Sequence, residues 1–121
     1  HEYNPFFCLN GGHSLCTLDF LWGHVRLSDD DFQKYLREIR PEEKERAYSF
    51  YKKGLNRTTL KDLHDQLERS GLEVFSILPF TKEQHVRMAD ANILAQGQKN
   101  YPNLTLQDLV TPRVFVMARK V

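Results

Sequence analysis

The stretch Thr59–Phe80, TLKDLHDQLERSGLEVFSILPF, decides how this chain is read. Thr59 followed by Asp62 puts a hydroxyl cap ahead of a carboxylate, which satisfies the free N–H groups of a helix's first turn. Leu60, Leu63 and Leu67 then recur on one side. The spacing predicts a helix starting at Thr58 or Thr59 with an inward leucine stripe. Ser70-Gly71 ends it, because glycine accepts the left-handed closing position. Leu72–Phe80 follows at once with almost continuous apolar residues, the pattern of a strand covered on both faces. The order is helix, glycine, buried strand.

Downstream, Thr81-Lys82-Glu83-Gln84 predicts a capping box opening another helix, with Val86, Ala89 and Ile93 on one face. Pro102 and Asn103 break the chain, and Thr105-Leu106-Gln107-Asp108 opens a short further helix. Val114–Ala118 (VFVMA) predicts a terminal strand. TLKDL at Thr59 and TLQDL at Thr105 look like a repeat, but both are helix-start signatures and converge on capping.

Upstream, Ser28 precedes Asp29, Asp30 and Asp31, a cap followed by three carboxylates that complement the helix dipole. Phe32, Tyr35, Leu36 and Ile39 form one buried stripe. Pro41 stops that helix and suits the first turn of the next. The second helix carries Ala47, Tyr48, Tyr51 and Leu55 inside and ends near Gly54. Its charge-rich run, Arg40–Lys53, reads as a solvated face. Earlier still, Asn10-Gly11-Gly12 is a strong turn signal and Gly23-His24 a weaker one. Between them Cys16, Leu18, Phe20 and Trp22 alternate with Thr17, Asp19 and Leu21. That alternation predicts an extended segment, continued by Val25 and Leu27 after a bend.

The 121 residues suit one domain or a piece of one. Apolar residues make up 40% and charged residues 27%, too apolar and too balanced for disorder. Seventeen basic and sixteen acidic side chains leave a formal charge of +1 with no basic stripe, which argues against nucleic acid as a partner. There is no run of membrane-spanning length, so no membrane partner is expected, and no signal-like start. Cys8 and Cys16 are too few for a secreted disulfide framework and read as reduced thiols, hence a cytoplasmic protein. The chain opens on His1 rather than methionine, an expectation of something cut from a longer protein. Asn56-Arg57-Thr58 and Asn103-Leu104-Thr105 match the glycosylation sequon, although each threonine has a better use as a helix cap.

The helix–glycine–strand run, together with RVFVMARKV at the end, resembles the C-terminal portion of class I S-adenosylmethionine-dependent methyltransferases. In that family the last crossover helix leads through a glycine into the sixth strand, and an antiparallel seventh strand inserts beside it. GGHSLCTLDFLWGHVRLSDDDFQKYL, residues 11–36, is similar to the ordered loop and extra helices that follow the fifth strand and cover the substrate. The resemblance implies an α/β fold (α+β as an isolated fragment). Residues 1–57 would be the loop, strand and helical cover. Residues 58–121 would be the last crossover helix, a strand, a helical insertion and the terminal strand. It also implies a small-molecule substrate, S-adenosylmethionine as the cofactor of the parent protein, and a missing N-terminal half that supplies the cofactor site. This chain would then be inactive alone and open to self-association through its sheet edges.

The chain departs from the family in lacking the glycine-rich turn after strand one and the acidic residue ending strand two. Gly11-Gly12 does not substitute, since no buried strand precedes it. A long connection, residues 81–113, also separates the two final strands, where the family often has a short hairpin loop. Asn4-Pro5-Phe6-Phe7 is similar to the Asn-Pro-Pro-Phe/Tyr motif that holds a target nitrogen in some amino-methyltransferases, but the second proline is absent. The alternative is a loop turn with aromatic anchors.

Tyr3, Asn4, His13, Asp19, Trp22, His24 and Arg26 are the candidate substrate-pocket residues, with the aromatic run of Tyr3, Phe6, Phe7, Phe20 and Trp22 suiting an apolar pocket or plain core. His13 and His24 are the general-base candidates, and Asp19 would orient one of them or pair with Arg26. Cys8, His13, Cys16 and His24 are the candidate zinc ligands, although their spacing matches no common zinc module. A nucleophilic mechanism has no motif to carry it. The rival reading is a self-contained α+β binding or interaction module without catalysis.

Overall fold

Hydroxyl caps set the helix starts. A computed structural model of the chain describes residues 2–16, 18, 20–53 and 55–120, and of Glu2, Tyr3, Gly12, His13 and Cys16 it describes the backbone alone. Ser28 Oγ accepts from Asp31 N at 3.2 Å. After the short α1 (Gly23–Arg26), this cap opens α2 (Asp29–Ile39), which buries Phe32 and Leu36. A 3-10 turn at Pro41–Glu43 leads into α3 (Lys44–Lys53), which buries Tyr51. Thr59 with Asp62 caps α4 (Leu60–Arg69) by a reciprocal pair of side-chain bonds. The same device at Thr105 and Asp108 opens α7 (Leu106–Val110), after α5 (Glu83–Met88) and α6 (Ala91–Asn100). These two helix starts are joined. Asp108, 2% exposed, accepts from Thr105 N through Oδ2 at 2.9 Å and from Leu60 N through Oδ1 at 2.8 Å. One buried carboxylate thus satisfies N–H groups at two helix ends.

Gly71 takes φ +78°, the left-handed closing position that other residues adopt only with strain, and feeds β2 (Leu72–Phe80). The described sheet has three strands in the order β1 (Glu2–Tyr3), β3 (Arg113–Lys120), β2. β3 runs antiparallel to β2 from Leu72↔Lys120 to Phe80↔Arg113, with a register shift between Val74 and Ser76. It is also antiparallel to β1, through Glu2↔Phe115 and Tyr3↔Val114. β1 and β2 are therefore parallel to each other, with the antiparallel strand inserted between them. Parallel strands cannot be joined by a hairpin. Their crossover here is the helical region from α1 to α4. The architecture is mixed α+β.

The core gathers Phe6 and Phe7 from the segment after β1, Leu18, Trp22 and Val25, the inner faces of α2 and α3, and Leu104 and Leu109. Trp22 is fully buried, and its Nε1–H donates to Leu109 O at 3.0 Å, tying the segment before α1 to α7. Phe32 stacks on Tyr51 with ring centroids 4.1 Å apart.

Several sequence expectations give way. The extended segment expected between Cys16 and Trp22 is not a strand among the described residues, which leave out Thr17 and Asp19. A 3-10 turn spans Gly11–Cys16, residues 20–22 form a bend and turn, and α1 takes Gly23–Arg26, including Val25. The described backbone groups bond locally, Leu18 N to Ser14 O at 2.8 Å and Val25 N to Trp22 O at 3.0 Å, leaving no ladder to build. Leu18 and Trp22 are buried without being in a strand, so their apolar character does not require an extended backbone. The helix expected from Thr81 is two helices. Lys82 caps α5 without a side-chain bond, Ala89 turns extended, and Asp90 caps α6 by accepting from Ile93 N at 2.8 Å. Val86 is consequently exposed while Ile93 is buried.

The third correction concerns β2, expected to be covered on both faces. Val114 and Val116 of β3, paired with Pro79 and Ile77, mark a covered face, where Leu63 and Leu67 of α4 line a groove with Val116. The other face lies open. Leu78 and Phe80 are each 49% exposed, Phe75 56% and Met117 61%. A continuous apolar run predicts what a strand can bury, not what is present to bury it. Among the described residues no helix is long and apolar enough to cross a membrane.

Candidate functional site

Because β1 and β2 are parallel, their carboxyl ends lie on the same side of the sheet. Tyr3 runs into Asn4 there, Phe80 runs into Thr81-Lys82, and β3 starts beside them after Pro112. In sheets built on parallel strands, ligands bind in the crevice outside the carboxyl ends. A pocket of about 310 Å3 occupies this position, with Asn4 and Cys8 on one side and Lys82 and His85 on the other. Pro5, Asn10, Gly11 and Pro112 complete its lining.

Among the described residues that line the pocket, the Cys8 thiol is not activated. Cys8 is buried and its thiol donates to Pro5 O at 3.3 Å. Burial pushes that thiol up from its usual pKa, which keeps it protonated and unreactive near neutral pH. Burial, then the neighbouring Lys82 ammonium, pushes the His85 imidazole down, so it stays neutral. His85 Nδ1 is a buried atom without a hydrogen-bond partner among the described residues. Asn10 Oδ1 accepts from Leu15 N at 3.0 Å, leaving its NH2 group. Asn4 is exposed at the rim. The walls thus offer two carboxamides, a neutral imidazole and the Lys82 ammonium, which suit orienting a small polar molecule by directional hydrogen bonds.

The residues expected at a pocket separate into different places. Asn4 lines this one. Tyr3 and His13 contribute backbone, in β1 and the 3-10 turn, and their side chains lie outside the described residues, as does Asp19 altogether. Trp22 and His24 lie in the interior. His24 is 2% exposed, and its Nε2–H donates to Phe6 O at 2.7 Å with the ring edge-on to Phe6. Burial drives its pKa down to about 4 against two opposing backbone carbonyls, with Arg57 adding to the drop. The imidazole is therefore neutral. Arg26 donates through Nε to Gln96 Oε1 at 2.6 Å and through Nη1 to Leu21 O at 3.0 Å, bracing α1 against α6.

Of the candidate zinc ligands, Cys8 and His24 each hold a different backbone carbonyl, and the side chains of His13 and Cys16 lie outside the described residues. The group of possible metal ligands found among the described residues is His64, Asp65 and Glu68 on α4. Lys61 holds Asp65 at 2.8 Å and His64 faces Glu68 at 3.6 Å, the pattern of solvated i,i+4 pairs. Gly11 tests the idea of a cofactor cradle. A Cβ there would lie 1.7 Å from Phe6 O, so the close approach is to the chain's own backbone. Gly11 is thus needed for packing on Phe6.

Lys82 and His85 were not visible as site residues in the sequence. No local pattern marks them, and only the strand order brings them to Asn4. Comparison with protein-family models, curated proteins and solved structures gives no match.

Proposed function

We propose that this chain is the C-terminal, substrate-covering part of an S-adenosylmethionine-dependent methyltransferase acting on a small molecule, with a Rossmann-like sheet completed by residues outside this chain. The observation that carries the reading is the sheet. Two parallel strands flank an antiparallel one, and the crossover between them ends in α4, Gly71 and β2. That matches the end of the fold the sequence resembles, an antiparallel last strand lodged beside the strand that follows the last crossover helix. The helices between β1 and α4 lie where that family covers its substrate, and the pocket holding Asn4 opens at the strand ends.

S-adenosylmethionine would supply an electrophilic methyl group, and this chain's residues would handle the acceptor. Asn4 offers an amide oxygen and N–H groups at the pocket rim, Asn10 offers its NH2 group, and His85 offers a neutral imidazole. Methyl transfer depends on alignment of acceptor, methyl and sulfur more than on a strong base. A pocket of fixed dipoles without an activated nucleophile serves that need.

Titration calorimetry tests the reading. S-adenosylmethionine added to this chain gives no binding heat. Added to a protein extended upstream in the same reading frame, it binds. Tight binding to the chain alone, or an upstream frame without a glycine-rich strand–turn–helix, overturns the proposal and favours a self-contained binding module.

A further inference from the structure

A second cavity, about 530 Å3, lies between α2, α3 and the end of α6, and is independent of the methyl-transfer reading. Its walls carry three cations, Lys52, Arg57 and Lys99, against one carboxylate, Asp29. In a chain of net charge +1 this is a local concentration of positive charge. Asp29 is already engaged: Tyr48 Oη donates to it at 2.9 Å, Gln33 Nε2 at 3.1 Å, and Lys52 Nζ lies 3.3 Å away. It holds Lys52 at the rim and offsets one of the three positive charges, which leaves the cleft net positive.

Arg57 is fixed in place as a preorganised donor. Its guanidinium lies over the Phe6 ring at 4.7 Å and the Tyr51 ring at 4.5 Å. Nε donates to Tyr101 Oη at 3.0 Å, Nη2 to Tyr51 O at 2.5 Å and Nη1 to Leu55 O at 3.4 Å. A guanidinium has five N–H groups, so two remain for a ligand. Tyr51 donates its hydroxyl proton to His24 O at 3.2 Å, and Tyr101 accepts from Arg57 with its Oη 3.5 Å from Tyr51 Oη, the acceptor within its reach. Lys99 has no ion pair among the described residues.

We propose that this cleft binds the oxyanion group of a small molecule, a carboxylate or a phosphate. Arg57 and Tyr101 form its floor, and Lys52 and Lys99 its two arms. A rigid guanidinium with two N–H groups left presents directed donors to such a group, and the lysines add charge without demanding a fixed geometry. The half-buried Tyr101 gives the rest of the ligand an aromatic wall, the Tyr51 ring being covered by Phe32 and Arg57.

The test uses this chain with inorganic phosphate and, in a separate arm, acetate, followed by amide chemical shifts at constant ionic strength. Saturable shifts centred on Lys99–Tyr101 and Tyr51–Arg57 are expected. The exposed double variant Lys52→Gln/Lys99→Ala should weaken binding roughly tenfold with an unchanged circular dichroism spectrum. A preference for phosphate assigns a phosphorylated ligand, and a preference for acetate a carboxylate. Arg57→Lys, if folded, should weaken phosphate more than the loss of one charge allows. Coincident titrations for wild type and double variant, or no saturable response to either anion, overturn the proposal.

Discussion

His24 shows how burial fixes a residue's chemistry. A histidine beside a glycine reads from sequence as a turn residue or a base, because nothing local reveals that it will be enclosed. Inside the protein it is neutral and donates to Phe6 O, so it serves as a pin for the segment after β1. The pH dependence follows. Unfolded, an imidazole takes up a proton near 6.5, whereas native His24 does so only at about 4. The unfolded state therefore binds more protons between these values, and stability falls as pH drops through that window. The contribution is complete above pH 6.5 and worth roughly 3 kcal/mol when lost. Urea midpoints measured from pH 7 to 4 should fall steeply for the wild type. His24→Gln, which still donates to the Phe6 carbonyl, should show a shallower fall, retaining the part due to His85. Parallel slopes would remove His24 from the account.

At the scale of elements, legibility followed capping. Ser28, Thr59 and Thr105 each act within three residues, so the starts of α2, α4 and α7 can be read directly. The second bond of Asp108, to Leu60 N across 48 positions, is invisible for the same reason that it matters, being tertiary. The described residues between Cys16 and Trp22 depart from the expected strand because alternation is not specific to strands. The break at Ala89-Asp90 was missed because Thr81 offered an earlier and more conventional cap. Gly71 was legible and gives a sharp prediction. No atom lies within 4 Å of where a Cβ would stand, so Gly71→Ala carries only the conformational cost of φ +78°. That cost is about 1 kcal/mol. Chemical unfolding should show this loss for Ala and a smaller one for Asn, which tolerates the left-handed region better. Equal stability of wild type and Gly71→Ala would mean the helix end has rearranged.

For the whole molecule, the sequence indicated helices ahead of two strands, but not that β3 would lie between β1 and β2. Strand order is set by which edges remain open after the helices pack, and no window of sequence carries that. The open face of Phe75, Leu78, Phe80 and Met117 is the plainest consequence. Apolar surface beside an edge strand favours association. Sedimentation of this chain should show concentration-dependent self-association that Phe75→Lys/Leu78→Lys abolishes. A strictly monomeric wild type at high concentration would argue for the self-contained module.

The claim that this chain handles the methyl acceptor while the cofactor is held elsewhere is tested most directly by steady-state methyl transfer in the upstream-extended protein. Asn4→Ala and His85→Gln should each raise KM for the acceptor severalfold, with the calorimetric affinity for S-adenosylmethionine unchanged. Loss of cofactor affinity with an unaltered acceptor KM, or no effect of either substitution, would contradict it.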